Sequence, residues 1–162
     1  MRKSTILVLA ALAGFSAVNY SCAKEEVVEK TVTEFRQVDP NSLYARLGGI
    51  DAITLVTNQF ITNVVNDNRI NGDFAATVSS ESRATLFTNN LIDQICQGSG
   101  GPCIYKGKTM LEAHTGMNIT DAEFNALVED LVAALNQFEV PAKEQNDLLA
   151  ILGPMRSDIV GK

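Results

Sequence analysis

The chain carries a single histidine, His114, inside the stretch TMLEAHTGMNIT, Thr109 to Thr120. It also carries three cysteines, Cys22, Cys96 and Cys103. These side chains have the strongest intrinsic chemistry, and their scarcity narrows what they can do. One histidine cannot build a multi-histidine metal site, and the cysteines lack the CxxC spacing of a zinc site. No glycine-rich phosphate loop follows a strand. A nucleophile pair of Cys96 or Cys103 with His114 has no local motif behind it. By residue type alone, His114 reads as a helix-terminal or surface histidine. Its place at the end of a short apolar run would also suit an axial ligand, whose ring must be held in one orientation.

The elements that position these residues are helices. Leu43 and Leu47 form the face of a first short helix, which Gly48-Gly49 breaks. Ile53, Val56, Phe60 and Val64 follow at three- and four-residue spacing, the apolar stripe of a second helix. NDNRINGD, Asn66 to Asp73, is turn chemistry, with Phe74 an isolated aromatic after it. Ser79 or Ser80 can cap a third helix, with Ala84, Phe87, Leu91 and Ile95 on one face. QGSGGPC, Gln97 to Cys103, should end it. Met110, Leu111 and His114 then form a short helix stopped at Gly116. Thr120-Asp121-Ala122-Glu123 is a capping box, and Ile119 with Phe124 can form the accompanying staple. Phe124, Leu127, Val128, Leu131, Leu135 and Phe138 line the helix that follows, up to Pro141. Leu148, Leu149, Leu152, Met155 and Ile159 define a last helix, with a kink expected at Pro154. No strand pair is legible. The expectation is an all-α domain of five or six helices over residues 43–162.

Composition limits the partners. At 46% hydrophobic and 20% charged, the 162-residue chain can bury a core. A formal net charge of −6, without a Lys/Arg cluster beyond Arg2-Lys3, argues against nucleic acid. The N-terminus reads as an export signal over residues 1–22. Arg2-Lys3 supplies the charge and TILVLAALAGFSAV the apolar core, which falls short of the roughly 20 residues of a membrane span. Either cleavage follows Ala23, or Cys22 is the lipid-carrying first residue of a lipoprotein. The second is the preferred reading, although Asn19 stands where such signals usually carry Leu. Membrane attachment is then expected through the lipid alone, facing the periplasm or the cell surface. Residues 23–42 read as a charged tether. In an oxidising compartment Cys96 and Cys103 can pair, the alternative being two buried free thiols.

LYARLGG (Leu43 to Gly49), NQF (Asn58 to Phe60), RINGDF (Arg69 to Phe74), GGPCIYKGKTMLEAHTGMNIT and LLAILGPMRSDIV resemble, in order, a bacterial group I truncated haemoglobin. The most specific part is the GGP…Y.G..M..AH.G..IT pattern, Gly100 to Thr120. The resemblance implies the two-over-two globin fold and one haem b per chain. His114 would be the proximal iron ligand, and Phe74 would pack on the ring. Phe60, Phe87, Leu91 and Met110 fall where this family lines the pocket, although each is equally explained as core. Lys106 and Lys108 come within reach of the propionates, and a solvated loop explains them as well. One departure stands out: the family commonly places a tyrosine donor after the residue matching Phe60, and here that position is Ile61. With Phe87 and Leu91 also apolar, the distal pocket of Ile61, Phe87 and Leu91 lacks an evident donor, unless Tyr44, Asn90 or Gln94 reaches in.

The resemblance implies reversible binding of O2, NO or CO. An enzymatic alternative, NO oxidation or peroxidase-like turnover, would need a reductase partner. A second alternative is a haem-free interaction module at the envelope.

Overall fold

The computed structural model describes residues 38–162; the expected signal segment, Cys22 and most of the tether lie outside them. Every element in this stretch is helical. They are α1 (Leu43–Arg46), α2 (Gly49–Asn66), α3 (Asn71–Phe74), α4 (Glu81–Gly98), α5 (Met110–His114), α6 (Asp121–Gln137) and α7 (Ala142–Leu152). A 3-10 segment, Gly153–Asp158, follows. Among the described residues no helix is long and apolar enough to cross a membrane.

The apolar stripe of α2 organises the packing. Ile53, Val56, Phe60 and Val64 are buried, and α2 lies against both α4 and α6. The same core takes in Leu43 of α1, Ile95 of α4, Leu131 and Leu135 of α6 and Leu148 of α7. This is the two-over-two arrangement expected from the sequence, with α7 reaching α1. Arg46 of α1 bonds Glu144 and Asp147 of α7 at 2.6 Å each, a surface clamp that contributes little beside the burial. A smaller cluster of Ile119, Phe124 and Ile159, flanked by Met110 and Met155, seats α5 and the C-terminal segment. Arg156 holds that segment on α6, bonding Asp121 and Asn125 and stacking 4.8 Å from the centre of the Phe124 ring.

The helix starts follow the capping chemistry of the sequence. Thr120 Oγ1 accepts from the Glu123 amide at 3.2 Å, and Glu123 accepts in return from the Thr120 amide at 2.7 Å. Ser80, rather than Ser79, caps α4. Four details differ from expectation. The turn after Asn66 closes into the short helix α3, whose last residue is Phe74. α4 continues two residues into the glycine-rich stretch, through Gln97 and Gly98. Phe138 lies past the end of α6 and is 40% exposed, so it leaves the apolar face assigned to it. The last helix ends at Leu152 rather than kinking: Pro154 has no amide to donate, and the chain tightens into the 3-10 segment around it.

The turn after α4 is closely packed. Cys96, fully buried, is disulfide-bonded to Cys103, with Cα atoms 5.7 Å apart. Gly101 donates its amide to Cys96 O at 2.7 Å. A β-carbon added to Gly101 would stand 2.4 Å from Tyr44 Cδ2 and 2.6 Å from Cys96 Sγ. Only glycine fits there. Gly101→Ala is therefore expected to cost roughly 1–3 kcal/mol by overpacking, read as a lower denaturant midpoint at unchanged slope.

Candidate functional site

His114 is the last residue of α5, a helix of five residues that would not persist alone in water. It is anchored at its start and through the loop that precedes it. At its start Thr109 Oγ1 accepts from the Glu112 amide at 3.2 Å, and Glu112 accepts from the Thr109 amide at 3.0 Å. This second capping box escaped the sequence reading, although its T-x-x-E pattern is the one that marks Thr120. The loop before it is pinned three times. The disulfide ties Cys103 to α4, the Tyr105 amide donates to Gln97 Oε1 at 2.7 Å, and the Tyr105 hydroxyl donates to Lys108 O at 2.7 Å. Partial burial pushes the Tyr105 phenol above its usual range, which keeps it a donor. Lys106 and Lys108 are exposed, as a solvated loop requires.

The imidazole is half-buried, and its Nδ1 lies 2.7 Å from Met110 O, one helical turn earlier. A carbonyl oxygen only accepts, so Nδ1 carries the hydrogen and Nε2 keeps its lone pair. The helix itself thus selects the tautomer with Nε2 available to a metal. Among the described residues no three His, Cys, Asp or Glu side chains converge as a metal cage. One oriented imidazole with apolar neighbours is the donor set that suits an iron whose other ligands come from a porphyrin.

The residues assigned to the pocket fall into two groups. Phe74 and Phe87 meet with ring centres 5.7 Å apart, tilted by 53°. Phe74 and Leu91 pack against the main core, where Phe60 is buried. Met110 belongs to the smaller cluster with Ile119 and Phe124. Ile61 is half-buried on α2, beside Phe60. Gln94 of α4 spans the two groups, its amide nitrogen 3.4 Å from Met110 Sδ and 3.5 Å from Met155 Sδ. Gln94 therefore turns toward α5 and not toward Ile61. Tyr44 does not approach the pocket either; its ring fills the space against Gly101 in the main core. Of the three side chains considered as polar reserves, only Gln94 makes a side-chain hydrogen bond among the described residues. A separate apolar cavity of about 260 Å³ is lined by Leu47, Ile53, Val56, Ile95, Leu135 and Leu148 among others, and by none of the residues assigned to haem contact.

The model of one protein family, described as bacterial-like globin, matches residues 42–160. A group 1 truncated haemoglobin of Tetrahymena pyriformis is 32% identical over 123 residues, which is 76% of this chain and 98% of that protein. A group 1 truncated haemoglobin of Mycolicibacterium paratuberculosis is 28% identical, covering 80% and 92%. Among solved structures, the ferric form of the Tetrahymena pyriformis protein superposes with a TM-score of 0.68 at 31% identity, over 75% of this chain and all of that one (100%). The 2/2 haemoglobin of Synechococcus, solved in the cyanomet state with covalently attached haem, gives 0.66 at 28% identity, covering 74% and 98%.

The two capping boxes make the histidine segment acid-sensitive in a defined window. The Thr109 hydroxyl and amide hold the Glu112 carboxyl below the ordinary glutamate value of 4.5, with a smaller pull from Lys108. The Thr120 amide and hydroxyl do the same for Glu123. A carboxyl whose value is lowered on folding stabilises fully above its unfolded value, and that contribution disappears as pH falls through the lowered one. The backbone amide signals of Thr109 and Glu112, followed by NMR, are expected to titrate together with a midpoint below the ordinary glutamate value. Glu112→Gln should remove the inflection at Thr109.

Proposed function

The chain belongs to the group 1 truncated haemoglobins, within the bacterial-like globin family, and on that premise we propose that His114 ligates one haem b whose opposite face binds a diatomic gas reversibly. The observation that carries this reading is the 2.7 Å contact of Nδ1 with Met110 O, which leaves Nε2 as the free lone pair. A haem held at that nitrogen supplies an iron able to take up O2, NO or CO on its far side. Phe74, Phe87 and Leu91 would hold the ring from the α3–α4 side, and Met110 from the α5 side. Hydrogen bonding of Nδ1 to a carbonyl raises the donor strength of Nε2 and fixes the ring plane.

On the far side, Ile61, Phe87 and Leu91 offer no side-chain donor. A gas ligand that draws electron density is held there mainly by its bond to the metal. The charge-assisted hydrogen bond that a tyrosine would donate is worth roughly 1.5–3 kcal/mol. Release of O2 is therefore expected to be fast and autoxidation easy beside tyrosine-bearing relatives. The gas-binding reading is favoured over NO oxidation because the apolar side chains provide nothing to steer a second reactant.

For location, export with Cys22 as the lipidated residue is the proposal. It is supported by the Arg2-Lys3 start, the apolar run from Thr5 to Val18, and a buried Cys96–Cys103 bond of the kind that forms in oxidising compartments.

Two measurements test the proposal. Full-length protein supplied with haemin is expected to show a Soret band that His114→Ala abolishes or displaces; an unaltered band in the variant sinks the ligand assignment. In the loaded protein, Ile61→Tyr should slow O2 release roughly ten- to a hundredfold, the rate equivalent of the missing donor. A parent protein that already releases O2 as slowly as this variant would refute the apolar-pocket reading.

A further inference from the structure

The haem reading uses neither Cys96 nor Cys103, yet the bond between them holds the segment on which that reading depends. Residues 102–109 have little else to fix them. Ile104, Lys106 and Lys108 are exposed. Among the described residues a single hydrogen bond joins this stretch to another element, from the Tyr105 amide to Gln97 Oε1, and it lies at the surface. The Tyr105 hydroxyl bonds Lys108 O within the stretch and adds no outside anchor. The other tie is covalent, from Cys103 to Cys96 in the last turn of α4. Cys103 is also where this stretch packs against the main core.

The stretch delivers Thr109, whose capping box starts α5. Beyond it the helix has only a few bonds of its own, such as the Ala113 amide to Thr109 O at 2.9 Å and the Thr115 amide to Leu111 O at 3.0 Å. The orientation of His114 needs Met110 O in helical register. From the other side, Met110 packs on Ile119 and Phe124, and the 3-10 segment lies against α5. Those contacts keep the helix near its place without fixing where it starts. With the disulfide open, Cys96 stays packed as a small apolar side chain, while Cys103 and the loop keep one exposed hydrogen bond. A bond of that kind contributes too little to keep a five-residue helix formed.

We propose that the Cys96–Cys103 pair is a positioning element for His114, and that the chain holds haem firmly only once the pair is oxidised. The closing step is thiol–disulfide exchange with an oxidant that itself carries a disulfide. Cys96 is fully buried and Cys103 half-buried, so the first attack falls to the Cys103 thiolate. It breaks the oxidant's S–S bond and forms a mixed disulfide. Cys96 then displaces the oxidant's sulfur from Cys103. Two protein thiols become one S–S bond, and the oxidant leaves as a dithiol carrying the two electrons and two protons. The inference rests on the haem reading and deepens it, by making haem retention depend on an oxidising compartment such as the one proposed for this chain.

The first arm of the test needs no haem. In the haem-free full chain, amide hydrogen exchange at Ala113 and Thr115 is expected to run about tenfold faster after anaerobic reduction by a dithiol. Unaltered exchange at both amides, with only the melting temperature lowered, would make the bond a general stabiliser and overturn the inference. The second arm uses the haem-loaded full chain and Cys103→Ser, which leaves Cys96 in place. Transfer of ferric haem to excess apomyoglobin should be about tenfold faster than in the parent. The iron–histidine stretch of the ferrous form should broaden in the resonance Raman spectrum, a signature that a purely structural bond would not move. Parental transfer and an unaltered band would overturn the inference. Leu148→Ala, a loss of core burial in α7, is the control: transfer accelerated as much there as in Cys103→Ser would trace the effect to global stability and overturn it as well. If Cys103→Ser fails to fold, the anaerobically reduced, haem-loaded parent gives the same comparison. Absence of a Soret band in the oxidised parent would reject the haem reading, and haem retention with it, a failure distinct from the others because the exchange arm reads α5 independently.

Discussion

The structure depends on one short hydrogen bond, from His114 Nδ1 to the carbonyl of Met110. It is local, spanning a single helical turn, and it decides both the tautomer and the orientation of the only imidazole in the chain. Without it the ring could rotate and either nitrogen could carry the proton. The bond exists only while Met110 to His114 is helical, and five residues are too few to hold a helix unaided. Much of what surrounds α5 compensates for that shortness. The Thr109 box starts it, the cluster of Ile119, Phe124 and Ile159 lies beneath Met110, and the C-terminal 3-10 segment packs on it.

The second support comes from α4. The disulfide, the Gly101 amide and the Gln97 side chain each tie the loop after α4 back to that helix, and the loop leads directly into Thr109. The helix presenting Phe87 and Leu91 is thereby coupled, through a few residues of chain, to the helix presenting His114. Gln94 adds a direct link across the two. On the entropic account, a bridge closing so short a loop contributes about 2 kcal/mol, comparable to several surface ion pairs together. For a small helical domain this is a sizeable share of net stability. Its location matters more than its size, because it restrains the segment with the least stability of its own.

The distal side shows the opposite economy. Ile61, Phe87 and Leu91 are apolar, and two of the three polar candidates nearby are placed elsewhere: Tyr44 fills the space beside Gly101, and Gln94 faces two methionine sulfurs, while Asn90 makes no side-chain hydrogen bond among the described residues. On the proposed reading, a pocket built this way would hold a neutral gas loosely and discriminate little by charge.

Sequence alone determined much of this protein, because much of it is local. The helix start at Thr120 is written in residues three apart, and the stripe from Ile53 to Val64 in spacings of three and four. The place of His114 at the end of a short helix follows from the apolar turn and Gly116. Family resemblance then implied a role for the histidine. What sequence could not decide depends on which face of a helix meets which neighbour. Gln94 and Tyr44 were equally credible as pocket residues until α5 and Gly101 were seen to occupy their side chains. Phe138 kept the period of α6 yet fell beyond its end. Thr57 gave no signal at all, since a threonine on an apolar stripe normally returns its hydroxyl to its own helix. The unpaired state of its buried hydroxyl among the described residues is a tertiary fact: periodicity says that a residue points inward, but only the assembled core says what it finds there.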